Sequence, residues 1–232
     1  MLFSGLLLVS YVGTAASQDD DRYSKRVARA AEVLSELVAV PDRAPPNALL
    51  ADATCVAVVP GVVQAGLGIG GKVGFGLASC RTAEGWSRPT FMGLKGGSFG
   101  LQIGAESADI VLIFVNKDAP RKIARSTLDL GGEASVAAGP LGRNVSAETD
   151  YRAQAEIYSY SKSKGLFAGI KLNGTKWEVD YHANRSVYRG ANDGGNSRKV
   201  AQLLTTDGAN APAAVRPFLT SLERTVGPGK AN

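Results

Sequence analysis

The sequence predicts an α+β fold: a glycine-rich, strongly curved antiparallel β-barrel or sandwich flanked by N-terminal and C-terminal helices. Three observations carry this. From Thr54 to Arg189 the pattern is mostly period two or short apolar runs, the signature of strands. Both flanks of that region show helical spacing. Thirteen of the 28 glycines fall between Gly61 and Gly104, and glycine inside strands marks the bulges and bends that a curved sheet needs.

Taken in order, residues 1–17 (MLFSGLLLVSYVGTAAS) hold an apolar stretch from Leu2 to Val12. It is shorter than the ~20 residues of a bilayer span. Small residues and then Gln18-Asp19-Asp20-Asp21 follow, although no Lys or Arg precedes the run. A signal peptide over 1–17 is expected; an apolar tail or lone anchor is the alternative. A single domain is expected over 18–232, with its core over about 23–190 and a C-terminal helical extension over 197–226.

Val27, Ala30, Ala31, Leu34, Leu37 and Val38 recur at helical spacing. They predict a helix over 21–40, which Asp19 to Asp21 suit at its positive end and Pro41 stops. A short helix is expected over 47–52. Strands are expected over 54–59, 72–81, 87–94, 98–104, 109–115, 128–138, 153–161, 166–172 and 176–181. An amphipathic helix over 118–126, N-capped by Asp118, interrupts them. Asn173-Gly174 between two alternating runs predicts a hairpin turn. Tyr158, Tyr160, Phe167 and Trp177 are expected in the core or as cross-strand partners. Helical spacing returns over 197–206 and 212–226.

Composition narrows the function. With 26 Lys+Arg against 21 Asp+Glu, the net charge of +5 is too small to argue for nucleic acid. Two cysteines and one histidine cannot build a Cys₄ or Cys₂His₂ zinc site, and no metal or other cofactor is expected. Outside the cytoplasm two cysteines tend to pair. Cys55 and Cys80 sit at the ends of two alternating runs; if those strands are antiparallel neighbours, a disulfide joins them. The alternative is two buried thiols.

Three motif matches fail on context. Gly66 to Lys72 fits G-x-x-x-x-G-K, but Val73 stands where a phosphate loop needs Ser or Thr. Gly66, Gly68 and Gly71 fit a dinucleotide fingerprint but open no helix. Gly96 to Gly100 fits G-x-S-x-G around Ser98, and Asp129 or Asp150 and His182 follow in α/β-hydrolase order. Ser98 runs into a strand, not a helix, so a Ser98/His182 hydrolase is only a remote third reading. Glu106 and Asp109 are read as a solvated turn pair. No catalytic residue is assigned, and a non-enzyme is expected.

The positive signal is basic. Arg22, Lys25, Arg26 and Arg29 follow i, i+3, i+4, i+7, one stripe beside the apolar face. A basic amphipathic helix can lie on an anionic membrane, and four cations at about 1 kcal/mol each give roughly 4 kcal/mol. The alternative is a solvated face whose apolar side packs on the sheet. Lys117, Arg121, Lys122 and Arg125 form a second basic group, and Lys162 and Lys164 flank a turn before Gly165.

Six strings in order are similar to the SYLF domain family: Cys55-Val-Ala-Val-Val-Pro60-Gly-Val, Gly70-Gly71-Lys72-Val-Gly74-Phe-Gly76, Gly85-Trp86-Ser87-Arg-Pro89, Gly96 to Gly104, Ala138 to Arg143, and Tyr158 to Gly169. The resemblance covers roughly 23–190. It implies one domain that binds phosphoinositides or other acidic lipids, with the N-terminal amphipathic helix contributing. It also implies actin binding in eukaryotic relatives, which the export signal and the lack of an SH3 domain in these residues argue against here.

The expected function is therefore non-enzymatic binding of anionic lipid through Arg22, Lys25, Arg26 and Arg29, with Lys117, Arg121, Lys122 and Arg125 as further lipid-binding candidates. The alternative is a protein-interaction or structural envelope module. The expected location is exported, periplasmic or cell envelope, peripheral to a membrane and without a transmembrane span in the mature chain.

Overall fold

In a computed structural model, the described residues are 14–142, 155–163, 165–172, 174–188 and 196–229; the side chains of 14–20, 66–69 and 98–105 are not described. Residues 1–13, Arg143, Asp150, Lys164 and Asn173, and the side chain of Ser98, all used in the sequence reading, lie outside that description.

Helix α1 (Thr14–Leu37) leads through a 3₁₀ turn (Pro41–Arg43) and α2 (Asn47–Asp52) into two long strands, β1 (Cys55–Cys80) and β2 (Thr90–Phe114). After them come α3 (Ala119–Ile123), β3 (Thr127–Leu130), β4 (Val136–Ala138), β5 (Ile157–Ser163), β6 (Leu166–Gly169) and β7 (Thr175–Val179). Three helices close the chain: α4 (Tyr181–Val187), α5 (Ser197–Thr205) and α6 (Arg216–Val226). The architecture is α+β, a curved, barrel-like sheet between N- and C-terminal helices.

The five strands expected between residues 54 and 115 are two. β1 and β2 pair antiparallel almost end to end, from Cys55 against Phe114 to Ala78 against Thr90. β2 uses its other edge twice, Met92–Gly96 against β7 and Asp109–Phe114 against β5. One pairing departs from an antiparallel sheet: β4 runs parallel to β5. The Asn173-Gly174 expectation also changes. Gly174 has φ +70°, but β6 pairs with β5 while β7 pairs with β2 and β3, so no hairpin joins β6 to β7.

A straight strand of this length would span roughly 85 Å, yet the ends of β1 meet. The Arg81 N–H donates to the Thr54 carbonyl at 2.8 Å, and Cys55 is disulfide-bonded to Cys80. The expected bridge forms, but between two ends of one strand, not between paired neighbours. Register shifts at Val59/Val62 and Leu67/Gly68 supply the bend, helped by Gly61 at φ +59°.

Alternation along the strands makes two cores. One face carries Val56, Val58, Leu77, Phe91, Val111, Ile113 and Tyr158, and packs against α1, α2 and α6. The other carries Ala57, Val59, Leu94, Ile110, Leu112 and Trp177, and packs against α3 and α5. The helix expected over 118–126 forms as Ala119–Ile123, with Asp118 at the N-cap position but making no side-chain cap. Helix α4 was not anticipated; Asp180 caps it by accepting from the Ala183 N–H.

Arg81 ties the ends together. Its guanidinium donates to the carbonyls of Leu50, Ala53, Val226 and Pro228. The Trp86 indole N–H donates to the Gly227 carbonyl at 3.0 Å.

Candidate functional site

The buried stripe of α1 is Tyr23, Val27, Ala30, Val33, Leu34 and Leu37, each no more than 2 % exposed. Burying side chains of this size contributes about 1.5–3 kcal/mol each, which together exceeds the roughly 4 kcal/mol expected from four cations at an anionic surface. The apolar side of α1 therefore stays on the sheet, as the alternative reading of this helix expected, and the basic stripe is what remains for docking.

The basic stripe borders a groove of about 800 Å³ between α1 and the bend of β1. Arg22, Lys25, Arg26 and Arg29 all line it, and Lys162 of β5 joins them. The floor is supplied by β1, with Val63, Val73 and Phe75. The structure thus brings the four predicted cations together.

They are not bare. The Arg26 guanidinium, 12 % exposed, donates to Asp180 at 3.0 Å and lies over the rings of Tyr23, Phe75 and Phe91. Arg29 bridges Glu32 at 2.6 Å and Asp109 at 2.9 Å; hydrogen bonding to Glu32 and the nearby carboxylates outweigh its burial and raise its pKa. Lys25 meets Asp21, and Lys162 meets Glu36, each at 2.7 Å. Arg22 donates to the Tyr23 hydroxyl at 2.9 Å. Five cations thus face five carboxylates in and around the groove, so the electrostatic figure from four bare cations is an overestimate. Lys25 and Asp21 are both well exposed, and such pairs contribute little, about 0–1 kcal/mol. An anionic ligand can compete for them.

Asp109 is the residue that sequence reasoning misplaced. It is not in a solvated turn with Glu106: both lie within β2, and Asp109 is buried. One carboxylate oxygen accepts the Gly61 N–H at 2.9 Å and the other accepts Arg29. Asp180 was also missed, and it couples Arg26 to the start of α4. Neither position carries a local sequence signal, because each partner lies far away in the chain.

The second basic group does not reach this groove. Helix α3 packs through Ala119 and Ile123 into the core on the opposite face of the sheet from α1. Lys122 is held by Glu156 at 2.6 and 2.8 Å, and Arg121 approaches Asp118 at 3.6 Å. Lys117 and Arg125 are exposed.

The hydrolase reading gains no support. Residue 98 lies in mid-strand, paired with Gly70, and not at a strand-to-helix elbow. The Nδ1 atom of His182 is hydrogen-bonded to the Tyr23 hydroxyl at 2.7 Å. No cluster that could hold a metal ion occurs among the described residues. No helix among them is long and apolar enough to cross a membrane. A smaller cavity of about 310 Å³ on the other face holds Lys72 and Lys171, and burial pushes the Lys72 ammonium pKa down.

Comparison with known proteins gives the site a context. The family model Ysc84, described as Las17-binding protein actin regulator, matches residues 95–225, a span that includes α5 and most of α6. The SH3 domain-containing YSC84-like protein 1 of Xenopus laevis is 37 % identical over 167 residues, covering 69 % of this chain and 50 % of that protein. An SH3 domain-containing protein of Schizosaccharomyces pombe is 43 % identical over 137 residues, 57 % of this chain and 32 % of that one. LAS seventeen-binding protein 3 of Saccharomyces cerevisiae is 34 % identical over 186 residues, 78 % of this chain and 39 % of its own length. The chain spans half or less of the length of these relatives.

Proposed function

The chain belongs to the Ysc84 (SYLF) family, and on that premise we propose that it is a non-enzymatic binding module whose α1 groove docks on an anionic lipid surface. The observation that carries this reading is the groove itself. Five cations line it beside the half-exposed apolar side chains of Val63, Val73 and Phe75. That combination suits an acidic headgroup with hydrocarbon next to it. The buried Cys55–Cys80 bond supports an exported, oxidising setting.

The test is co-sedimentation of the disulfide-bonded chain with phosphatidylserine-containing and neutral vesicles across a salt series. Binding to the acidic vesicles that fades with salt supports the reading. Failure of the folded chain to bind either kind sinks it.

A second reading, a protein-interaction module, has its own support. The matched family is described as a Las17-binding actin regulator, and the relatives' names speak of protein partners, not lipids. The near balance of charge around the groove fits a protein surface as well. Co-sedimentation with filamentous actin separates the two: actin binding without vesicle binding moves the function to a protein partner.

A further inference from the structure

The lipid reading leaves open which element enters the bilayer, and the inference here deepens that reading and rests on it. Among the described side chains of α1 the apolar stripe is within 2 % of full burial, so that stripe is not free to insert. Among the described residues, the large apolar side chains left open are Val40, just past the end of α1, and a group on β1 and β6. Val63, Val73 and Phe75 of β1 are 43–44 % exposed and line the groove, and Leu166 of β6, beside the groove-lining Gly165, is 51 % exposed.

This exposure is built into the strands. Val73 and Phe75 project to the same face, two residues apart, and Gly74 between them is buried against Val59 and Val62. The partner of Phe75 across the ladder is Gly93, which brings no side chain directly opposite the ring. Arg26 stacks on Phe75 at 5.1 Å, which links the apolar rim to the basic wall.

We propose that this β1–β6 rim, and not α1, enters the hydrocarbon of an acidic bilayer, while α1 stays packed on the sheet and presents Arg22 and Lys25 to the headgroups. The cations that line the groove, beside open apolar side chains, argue for an acidic bilayer as the occupant. Among the described residues the groove's lining holds five cations and a single carboxylate, Asp109. The carboxylates of Asp21, Glu32, Glu36 and Asp180 that pair with those cations lie outside the lining.

The experiment uses depth-sensitive fluorescence on phosphatidylserine/phosphatidylcholine vesicles with brominated acyl chains. Phe75→Trp places a probe on the rim; Ala28→Trp places one on the exposed face of α1. The chain's own Trp86 and Trp177 are buried and supply a constant background. The rim probe is expected to be quenched at least twofold on binding, and the α1 probe to be unaffected. Quenching of the α1 probe, or of neither probe in vesicle-bound protein, overturns the proposal.

In parallel, Val73→Ser with Phe75→Ser is expected to weaken partitioning at least tenfold while the far-ultraviolet spectrum and the disulfide are retained. Unchanged binding by that folded variant overturns rim insertion and leaves the lipid reading standing. No binding of the parent chain to acidic vesicles overturns both.

Discussion

A Cβ atom built on Gly76 would stand 1.9 Å from the carbonyl oxygen of Val58, in the earlier half of the same strand. Glycine at this position is what allows β1 to fold back across itself. That fold-back sets Phe75 and Val63 into one groove. Because the clash is with backbone, it has no side chain to move aside. Gly76→Ala is expected to cost about 3 kcal/mol or more, read as a lower urea midpoint or loss of soluble protein. Gly97→Ala is the control: no atom lies within 4 Å of its added Cβ. It is expected to be neutral or to stabilise by about 0.5–1 kcal/mol.

The Cys55–Cys80 bond closes a loop with a sequence separation of 25. In the chain-entropy model that contributes about 3.5 kcal/mol. Cys55→Ala with Cys80→Ala is expected to lose stability of that order in urea unfolding. Both cysteines are 0 % exposed, so dithiothreitol under native conditions is expected to release no thiols to a colorimetric reagent until denaturant is added. Ready reduction of the folded chain would contradict the buried bridge.

Asp109 is the joint between the bulge and the helix. Asp109→Asn keeps an acceptor for the Gly61 N–H, but turns an amide NH2 toward Arg29 and so loses both the charge and the hydrogen bond to that guanidinium. That ion pair involves a guanidinium 42 % exposed, so about 1 kcal/mol is expected. Asp109→Ala also removes the acceptor of the Gly61 N–H; Gly61 is exposed and water can take its place, so about 1–2 kcal/mol in all is expected. Equal losses for the two variants in urea titrations would show that the Gly61 hydrogen bond contributes nothing.

How much of this was legible depended on whether the signal was local. The α1 stripe, α2, the C-terminal helices and the alternation of β5 to β7 were readable because period and caps are local. The fusion of five strands into two was not, because glycine marks a bend or bulge without showing whether the ladder continues through it. The four cations of α1 were legible from spacing alone. Their carboxylate partners Asp109 and Asp180 were not, since those contacts join residues 80 and 154 apart in sequence. The apolar floor at Val73 and Phe75 was hidden for the same reason: an alternating strand shows which residues share a face, but not which face is left open.

Lys122 and Glu156 give a pH-dependent test on the face away from the groove. Burial alone would push the Glu156 carboxyl up, but hydrogen bonds from Lys122 and Asn116, the Lys122 charge and the Ser135 N–H outweigh it and hold its pKa below the ordinary glutamate range. A depressed carboxyl stabilises the fold above its unfolded pKa of about 4.3 and loses that contribution as pH falls through the folded value. The parent chain is therefore expected to exceed Lys122→Met in stability by about 1–2 kcal/mol at neutral pH. The gap should narrow below about pH 4. A gap that stayed constant down to pH 3 would remove the ion pair as its cause.

The four groove cations of α1 divide into two classes, and their variants should divide likewise. Arg26 and Arg29 hold Asp180 and Asp109, so replacing either leaves a carboxylate that is 16 % or 9 % exposed without its partner; such variants lose stability and say little about binding. Arg22 and Lys25 are exposed on α1 at the edge of the groove. Arg22→Gln with Lys25→Gln is expected to leave the urea midpoint within about 0.5 kcal/mol of the parent. The same pair should lower partitioning to phosphatidylserine vesicles roughly tenfold or more, at about 1 kcal/mol per cation, and should flatten its salt dependence. Helix α3 sits on the opposite face of the sheet, so Lys117→Gln, Arg121→Gln and Arg125→Gln together should change neither. If the α3 variant loses vesicle binding and the Arg22/Lys25 variant keeps it, the membrane-facing side of the molecule is the other one.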